Sequence, residues 1–374
     1  MRKAWKYVAI LLMAIALIGP TGCAGKSGAV RVGLLFPMTG PVPTYGQSSK
    51  EGAELAIKEW NDKGGVLGKE IEWVLEDGGC DGATATDAAN KLIDQDGVKF
   101  IVGEVCSSAS IPVSEIANPK QILQISPTST NPQVTVGKPY VFRACFLDPF
   151  QGGALASFAI EDLKATSAAV LYVKGNDYVM GLAEYFKGAF EARGGTVLVY
   201  EAYTAEDTDF SAILSKVADA APDILFLPDY YNKVNLIGKQ AKERGVTATL
   251  LGGDGWDSAD LDMSAVDGGY HSNHYSAADP RAVVTNFLTK YRAEFGKAPD
   301  ALAVLAYDAT NVLLAAIEKA GSTDTAVVRD TLAGIQFEGV AGVITFDAEG
   351  DPVKTAAINQ VTGGEFKFVK WVSP

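Results

Sequence analysis

Three segments of this 374-residue chain gather side chains able to hold a small charged molecule. Glu104-Val105-Cys106-Ser107-Ser108-Ala109-Ser110 and Ser126-Pro127-Thr128-Ser129-Thr130-Asn131-Pro132 each follow an apolar run. Both offer hydroxyls and backbone N–H groups, with no Lys or Arg between them. Such a nest suits a carboxylate held by hydrogen bonds and helix-end dipoles. One Ser/Thr-rich turn is ordinarily a helix cap; two in successive loops argue for a binding surface. The third segment, Leu251-Gly252-Gly253-Asp254-Gly255-Trp256, sets an acid among glycines. There the backbone can crowd a ligand while the carboxylate accepts from an ammonium group, although a turn aspartate gives the same pattern. Tyr45, Tyr178 and the pair Tyr230-Tyr231 also follow apolar runs, where aromatic rings can wall a small pocket or simply pack half-buried.

Enzymatic constellations are missing. The two histidines, His271 and His274, lie in a strand-like setting that sends their rings to opposite faces, a weak metal pattern. No Gly-x-Ser-x-Gly elbow occurs. Lys63-Gly-Gly-Val-Leu-Gly-Lys69-Glu70 lacks the spacing and the hydroxyl of a phosphate-binding loop, and Gly252–Gly255 opens no dinucleotide fingerprint. The expectation is a binding protein without catalytic residues, metal or cofactor.

The elements that must position these loops alternate. Val30–Phe36 reads as a buried strand, and Ala53, Ala56, Ile57 and Trp60 form a helical face that Gly64-Gly65 ends. Strands are expected at Glu70–Asp77, Lys99–Gly103 and Ile122–Ile125, with a helical stripe through Ala85, Ala88, Ala89, Leu92 and Ile93. After Asp148-Pro149, read as an N-cap and first helical residue, the series restarts. Strands at Ala168–Val173, Thr196–Tyr203, Asp223–Leu227 and Ala248–Leu251 alternate with helical faces around residues 182–190, 210–217 and 234–244. Three helices near 282–295, 301–319 and 324–333 precede strands at Val343–Phe346, Ala356–Val361 and Phe366–Val372. Strand–helix alternation of this length implies right-handed crossovers and parallel sheets covered on both faces. Two such series predict an α/β protein of two doubly wound lobes.

At the N-terminus, Arg2, Lys3 and Lys6 precede the apolar run Val8–Ile18, a secretory signal pattern too short for a confident membrane span. No other stretch reads as a membrane-spanning helix. Gly19-Pro20-Thr21-Gly22-Cys23 resembles a bacterial lipobox, with Pro20 where Leu is usual, so residues 1–22 read as signal peptide and 23–29 as a lipidated tether. The protein is then exported and anchored through Cys23, in the periplasm or on the outer face of the cell membrane. A formal net charge of −13 repels phosphate backbones and makes nucleic acid a poor partner. Export permits a bridge between Cys80 and Cys106; Cys145 reads as a small buried hydrophobe.

In this order and spacing, Phe36-Pro-Met-Thr-Gly-Pro-Val-Pro-Thr-Tyr45-Gly46, Gly103–Ser108, Ile125–Pro132 and Leu147-Asp-Pro-Phe-Gln-Gly152 give a specific likeness. The mature chain resembles the branched-chain amino acid binding proteins of bacterial ABC transporters, which have the type I periplasmic binding fold. The resemblance implies a monomer whose two lobes close about a hinge of three crossings, residues 30–147 with 275–352 and residues 148–274 with 353–374. It implies a Cys80–Cys106 disulfide beside the site and delivery of a small amino acid to membrane permease subunits. Ser107, the Ser129 backbone and Thr130 would hold the α-carboxylate and part of the ammonium, with Ser108 and Trp256 also at the site, Asp254 opposite the ammonium and Tyr45, Tyr178 and Tyr230 as walls. Two positions depart from the family. Asp254 stands where Glu is common, and Trp256 is bulkier than the small apolar residue expected, so a small or polar ligand with a displaced amine is anticipated in place of leucine. Related proteins bind amides, urea or aromatic acids, and a sensor subunit docking on a membrane receptor would look the same in sequence. A hydrolase on this scaffold lacks a base–nucleophile pair.

Overall fold

The computed structural model of the protein describes residues 28–374. The signal segment and the expected lipidation at Cys23 lie outside the described residues. Five strands form the first sheet: β1 (Val30–Phe36), β2 (Ile71–Asp77), β3 (Phe100–Gly103), β4 (Leu123–Ser126) and β5 (Val141–Arg143). They pair in the order β2-β1-β3-β4-β5, always parallel. Parallel neighbours need a crossover, supplied by α1 (Pro43–Asp62), α2 (Gly82–Asn90), which runs into a π-helical turn at Lys91–Gln95, and α3 (Ser107–Ala117).

The second series follows: α4 (Asp148–Glu161), β6 (Ser167–Val173), α5 (Asp177–Ala192), β7 (Thr196–Tyr203), α6 (Ser211–Ala220), β8 (Ile224–Leu227), α7 (Tyr231–Glu243), β9 (Thr249–Gly252) and β10 (Tyr270–Asn273). The chain then returns to the first lobe for α8 (Ala282–Phe295), α9 (Ala301–Ala320) and α10 (Thr325–Ala333). The hairpin β11 (Phe337–Gly339) and β12 (Gly342–Ile344) comes next, and β13 (Ala356–Thr362) and β14 (Glu365–Val372) end the chain. The second sheet runs β14-β13-β10-β9-β8-β6-β7. It is parallel from β10 to β7, but β13 and β14 join antiparallel, because a hairpin needs no crossover helix. The architecture is therefore two doubly wound α/β lobes linked at 144–147, 274–281 and 345–355, the second sheet being mixed and not wholly parallel.

Two further differences from the sequence reading stand out. Ala301–Ala320 is long and apolar enough by composition to cross a bilayer, yet 78% of its most apolar window is buried inside the protein. The reason is packing on several sides: α9 lies along α1 so closely that a Cβ on Gly52 would sit 2.0 Å from the Ala303 carbonyl oxygen. A helix enclosed all round is apolar all round. Asp148 is the first residue of α4, with Leu147 at the N-cap position, so its carboxyl is buried and not capping.

Candidate ligand-binding site

The loops at the carboxyl ends of β3, β4, β6, β8 and β9 meet between the lobes, where open α/β sheets bind their ligands. They line a small cavity between the lobes. The first lobe supplies Tyr45, Val105, Ser107 and Thr128, with Ala301 and Leu302 from the start of α9. The second supplies Tyr178, Tyr230, Asp254, Gly255 and His274. The cleft is shut. Tyr45 donates its hydroxyl proton to the Gly255 carbonyl, and Thr44 Oγ1 lies 3.0 Å from Ser258 Oγ. The Asp177 amide donates to Ser108 Oγ at 2.7 Å and Asn131 Nδ2 to the Asp177 carbonyl at 2.8 Å.

On the first lobe the feature is the N-terminus of α3. Its N-cap residue, Cys106, offers no side-chain cap, so the first N–H groups are left for an anion. Ser107 lies at that end, its Oγ accepting from the Asn131 amide at 3.2 Å. Thr128 Oγ1 donates to the Val105 carbonyl at 2.8 Å. Thr130 Oγ1 is buried without a partner among the described residues. Ser129 is occupied elsewhere: its amide donates to Ser126 Oγ at 3.1 Å and its Oγ meets Ser110 Oγ at 2.7 Å. It braces the loop and does not face the cavity. Nor does Ser108, which spends its hydroxyl on the contact between lobes.

The loop is held from behind by two groups the sequence did not mark. Arg143, wholly buried, donates to the Ser129 and Asn131 carbonyls at 2.6 and 3.0 Å, to Thr135 Oγ1 at 2.6 Å and to Asp351 Oδ1 at 2.5 Å. Glu104 Oε2 accepts from the Val105 and Cys106 amides, both at 2.6 Å. Burial pushes the Glu104 carboxyl up to about 8, so it is neutral at pH 7. Cys80 and Cys106 are disulfide-bonded, their Cα atoms 5.3 Å apart, and Cys145 is free and buried.

On the second lobe Asp254 accepts three hydrogen bonds. Gln151 Nε2 and Tyr178 Oη donate to Oδ1 at 2.6 and 2.8 Å, and His274 Nε2 lies 2.9 Å from Oδ2. Burial alone would raise this carboxyl; His274, Gln151 and Tyr178 together hold it below the ordinary aspartate value, so it is ionised. Burial keeps Tyr45, Tyr178 and Tyr230 well above the usual phenol range, as neutral donors. Tyr178 and Tyr230 stack with centroids 5.2 Å apart, and Tyr45 meets Tyr230 edge-on at 5.6 Å.

Trp256 does not reach the cavity. Its indole Nε1 donates to the Leu227 carbonyl at 3.0 Å, and its ring lies so close beneath Gly252 that a Cβ there would be 2.0 Å away. Gly252 and Gly253 thus make room for Trp256 and for the Tyr178 hydroxyl, while Gly255 lines the cavity. His271 stacks on Trp256 and packs on Phe366, and burial lowers it to about 4. Sequence reasoning misses His274, Gln151 and Thr128. Gln151 and Thr128 stand inside motifs that carry the family likeness, whereas His274 reads in sequence only as a weak metal ligand. Among the described residues no cluster of three or more His, Cys, Asp or Glu could hold a metal ion.

Residues 29–365 match the periplasmic binding protein family. The leucine-, isoleucine-, valine-, threonine- and alanine-binding protein of Pseudomonas aeruginosa is 34% identical over 357 residues, 94% of each chain. The crystal structure of a leucine-binding protein from Thermotoga maritima is 37% identical, with a TM-score of 0.89 over 92% of this chain and 99% of that one. A branched-chain amino acid transporter substrate-binding protein from Streptococcus pneumoniae, solved with isoleucine, is 30% identical. It has a TM-score of 0.88 and covers 92% of this chain and 100% of that one. Two lobes closed over a cavity with a bare helix end on one wall and an ionised aspartate on the other agree with these likenesses, and the chain belongs to the branched-chain amino acid binding proteins of ABC transporters, within the periplasmic binding protein family.

Proposed function

We propose that the protein captures a small aliphatic α-amino acid between its lobes and delivers it to the permease of an ABC transporter. One observation carries the reading: the ionised Asp254, its side chain 11% exposed, shares a cavity with the uncapped N-terminus of α3. The helix end, with Ser107, receives the α-carboxylate. Asp254 has one acceptor position beyond its three donors, and the ammonium takes it. Val105, Ala301, Leu302 and the faces of Tyr45 and Tyr230 leave an apolar space for the side chain. With Trp256 in the core, the expectation of a polar ligand loses half its basis; the shorter acid at Asp254 remains. The relatives' printed ligands, among them leucine, isoleucine and alanine, support the aliphatic class.

In this reading the lobes divide at 147/148, 274/275 and 352/353 and rotate as rigid bodies. The chain works as a monomer held at the cell surface through a lipid on Cys23, without catalysis. Removing Asp254 strands a buried ammonium, a loss of about 3–5 kcal/mol. Isothermal titration with leucine, isoleucine, valine, alanine and threonine is expected to find a binder, with Asp254→Ala weakening it at least a hundredfold. A loss under tenfold would remove Asp254 from the role. If benzoate binds and no amino acid does, the ligand is an aromatic acid.

A further inference from the structure

His274 occupies an unusual place for a titratable group. It follows β10 at the start of the second crossing between lobes, lines the cavity, and has a side chain only 1% exposed. Its ring stacks on Phe146, from the first crossing, with centroids 3.9 Å apart. Nε2 meets Asp254 Oδ2 at 2.9 Å, while Nδ1 has no partner. One nitrogen on a carboxylate and the other bare is the pattern of a neutral ring protonated at Nε2.

The groups around it set the balance. Burial opposes a charged ring, and so does Lys354 of the third crossing, whose Nζ donates to the Ala144 carbonyl at 2.8 Å. Asp254 and Asp257, from the segment after β9, favour the charged ring. Phe146 brings no charge, and Tyr178 of α5 is a neutral phenol. Burial prevails, and His274 lies below the ordinary histidine value in the closed form. A bound ammonium would shift the balance the same way, since two cations would share one carboxylate away from water. In an open cleft, water reaches the imidazole and that penalty is relieved.

We propose that His274 is a positioning residue that links ligand capture to proton release: closure on an ammonium requires its ring to be neutral, so the grip on the amino acid loosens as the medium acidifies. The inference rests on the amino-acid reading of the cavity. A free amino acid keeps both charges between pH 5.5 and 7.5, so the linkage belongs to the protein. One proton is linked to closure, so affinity falls from pH 7.5 to pH 5.5, by at most about tenfold per pH unit.

Calorimetry with leucine, isoleucine and alanine at the two pH values tests this on the wild-type protein. His274→Gln keeps a donor for Asp254 and cannot titrate. It is expected to bind more weakly at both pH values, with the two affinities within about twofold of each other. A wild-type affinity that is flat across this range, or a variant with the wild-type slope, overturns the proposal while leaving amino-acid binding intact. Failure of every amino acid to bind at pH 7.5 removes both readings. A second readout needs no variant. The chain has two histidines, so ¹⁵N-histidine spectra at pH 6 should show one imidazole turning from partly charged to neutral on ligand addition. No change in either ring would equally overturn the linkage.

Discussion

Glu104 illustrates how a single enclosed carboxyl can set the pH response of the loop that leads into α3. Folded, it titrates at about 8; its ordinary value is 4.5. Between those values the native state keeps a proton that the unfolded chain gives up, so stability falls with rising pH, at up to about 1.4 kcal/mol per unit. Glu104→Gln retains an acceptor for the Val105 and Cys106 amides and removes the titration. Its melting temperature is expected to exceed that of the wild type at pH 8, with the gap shrinking towards pH 5. A gap independent of pH would mean that Glu104 is already ionised in the fold. At this scale the residues placed just after an apolar run, Tyr45, Ser107, Tyr178, Tyr230 and Asp254, were legible as neighbours, and all five line one cavity. Thr130 lies outside the lining, against the buried Asp148 carboxyl. His274 was not legible, because only the parallel pairing of β9 with β10 brings it back to Asp254. Trp256 misled because a large ring on a glycine-rich turn looks the same in sequence whether it faces a ligand or the core beneath.

Among the elements, the junction of α1 with α9 makes a strict demand on residue type. Gly52 has no room for a side chain against the Ala303 carbonyl, and α9 also carries Ala301 and Leu302 into the cavity. Gly52→Val should separate the helices and cost about 1–3 kcal/mol, read from chemical denaturation. An unchanged midpoint would show that the junction yields freely. The longer strands and nearly all helices could be read from periodicity because burial on both faces makes parallel strands continuously apolar. The short β5 and β10 could not. Val141-Phe142-Arg143 has three residues and a buried charge, and Tyr270-His271-Ser272-Asn273 is a polar-looking strand whose groups are enclosed by β9 and β13. The Arg143 contacts lie at long range, so the brace behind Ser129 and Asn131 leaves no local pattern.

At the scale of the whole molecule, few polar contacts span the cleft, and each biases the balance between open and closed forms. The Asp177 amide on Ser108 Oγ is one that leaves the cavity lining untouched. Ser108→Ala should weaken the closed form by about 0.5–1.5 kcal/mol. Ligand release in stopped-flow displacement then quickens roughly two- to tenfold, with the association rate little altered. A release rate equal to that of the wild type would show that this contact forms too late to matter. Two lobes were foreseeable from the double run of alternating elements, but the antiparallel pair closing the second sheet was not, because a terminal hairpin carries the same apolar strands without an intervening helix.

Gln151, Tyr178 and His274, the three donors to Asp254, all come from the second lobe and its hinge, whereas the bare helix end belongs to the first. If these two walls hold the ligand as proposed, each half is complete before the halves meet, and a molecule bearing only one of the two charges settles on one wall without recruiting the other. A simple carboxylate of suitable size would then act as an antagonist, filling the receptor while leaving it agape and the transporter unfed.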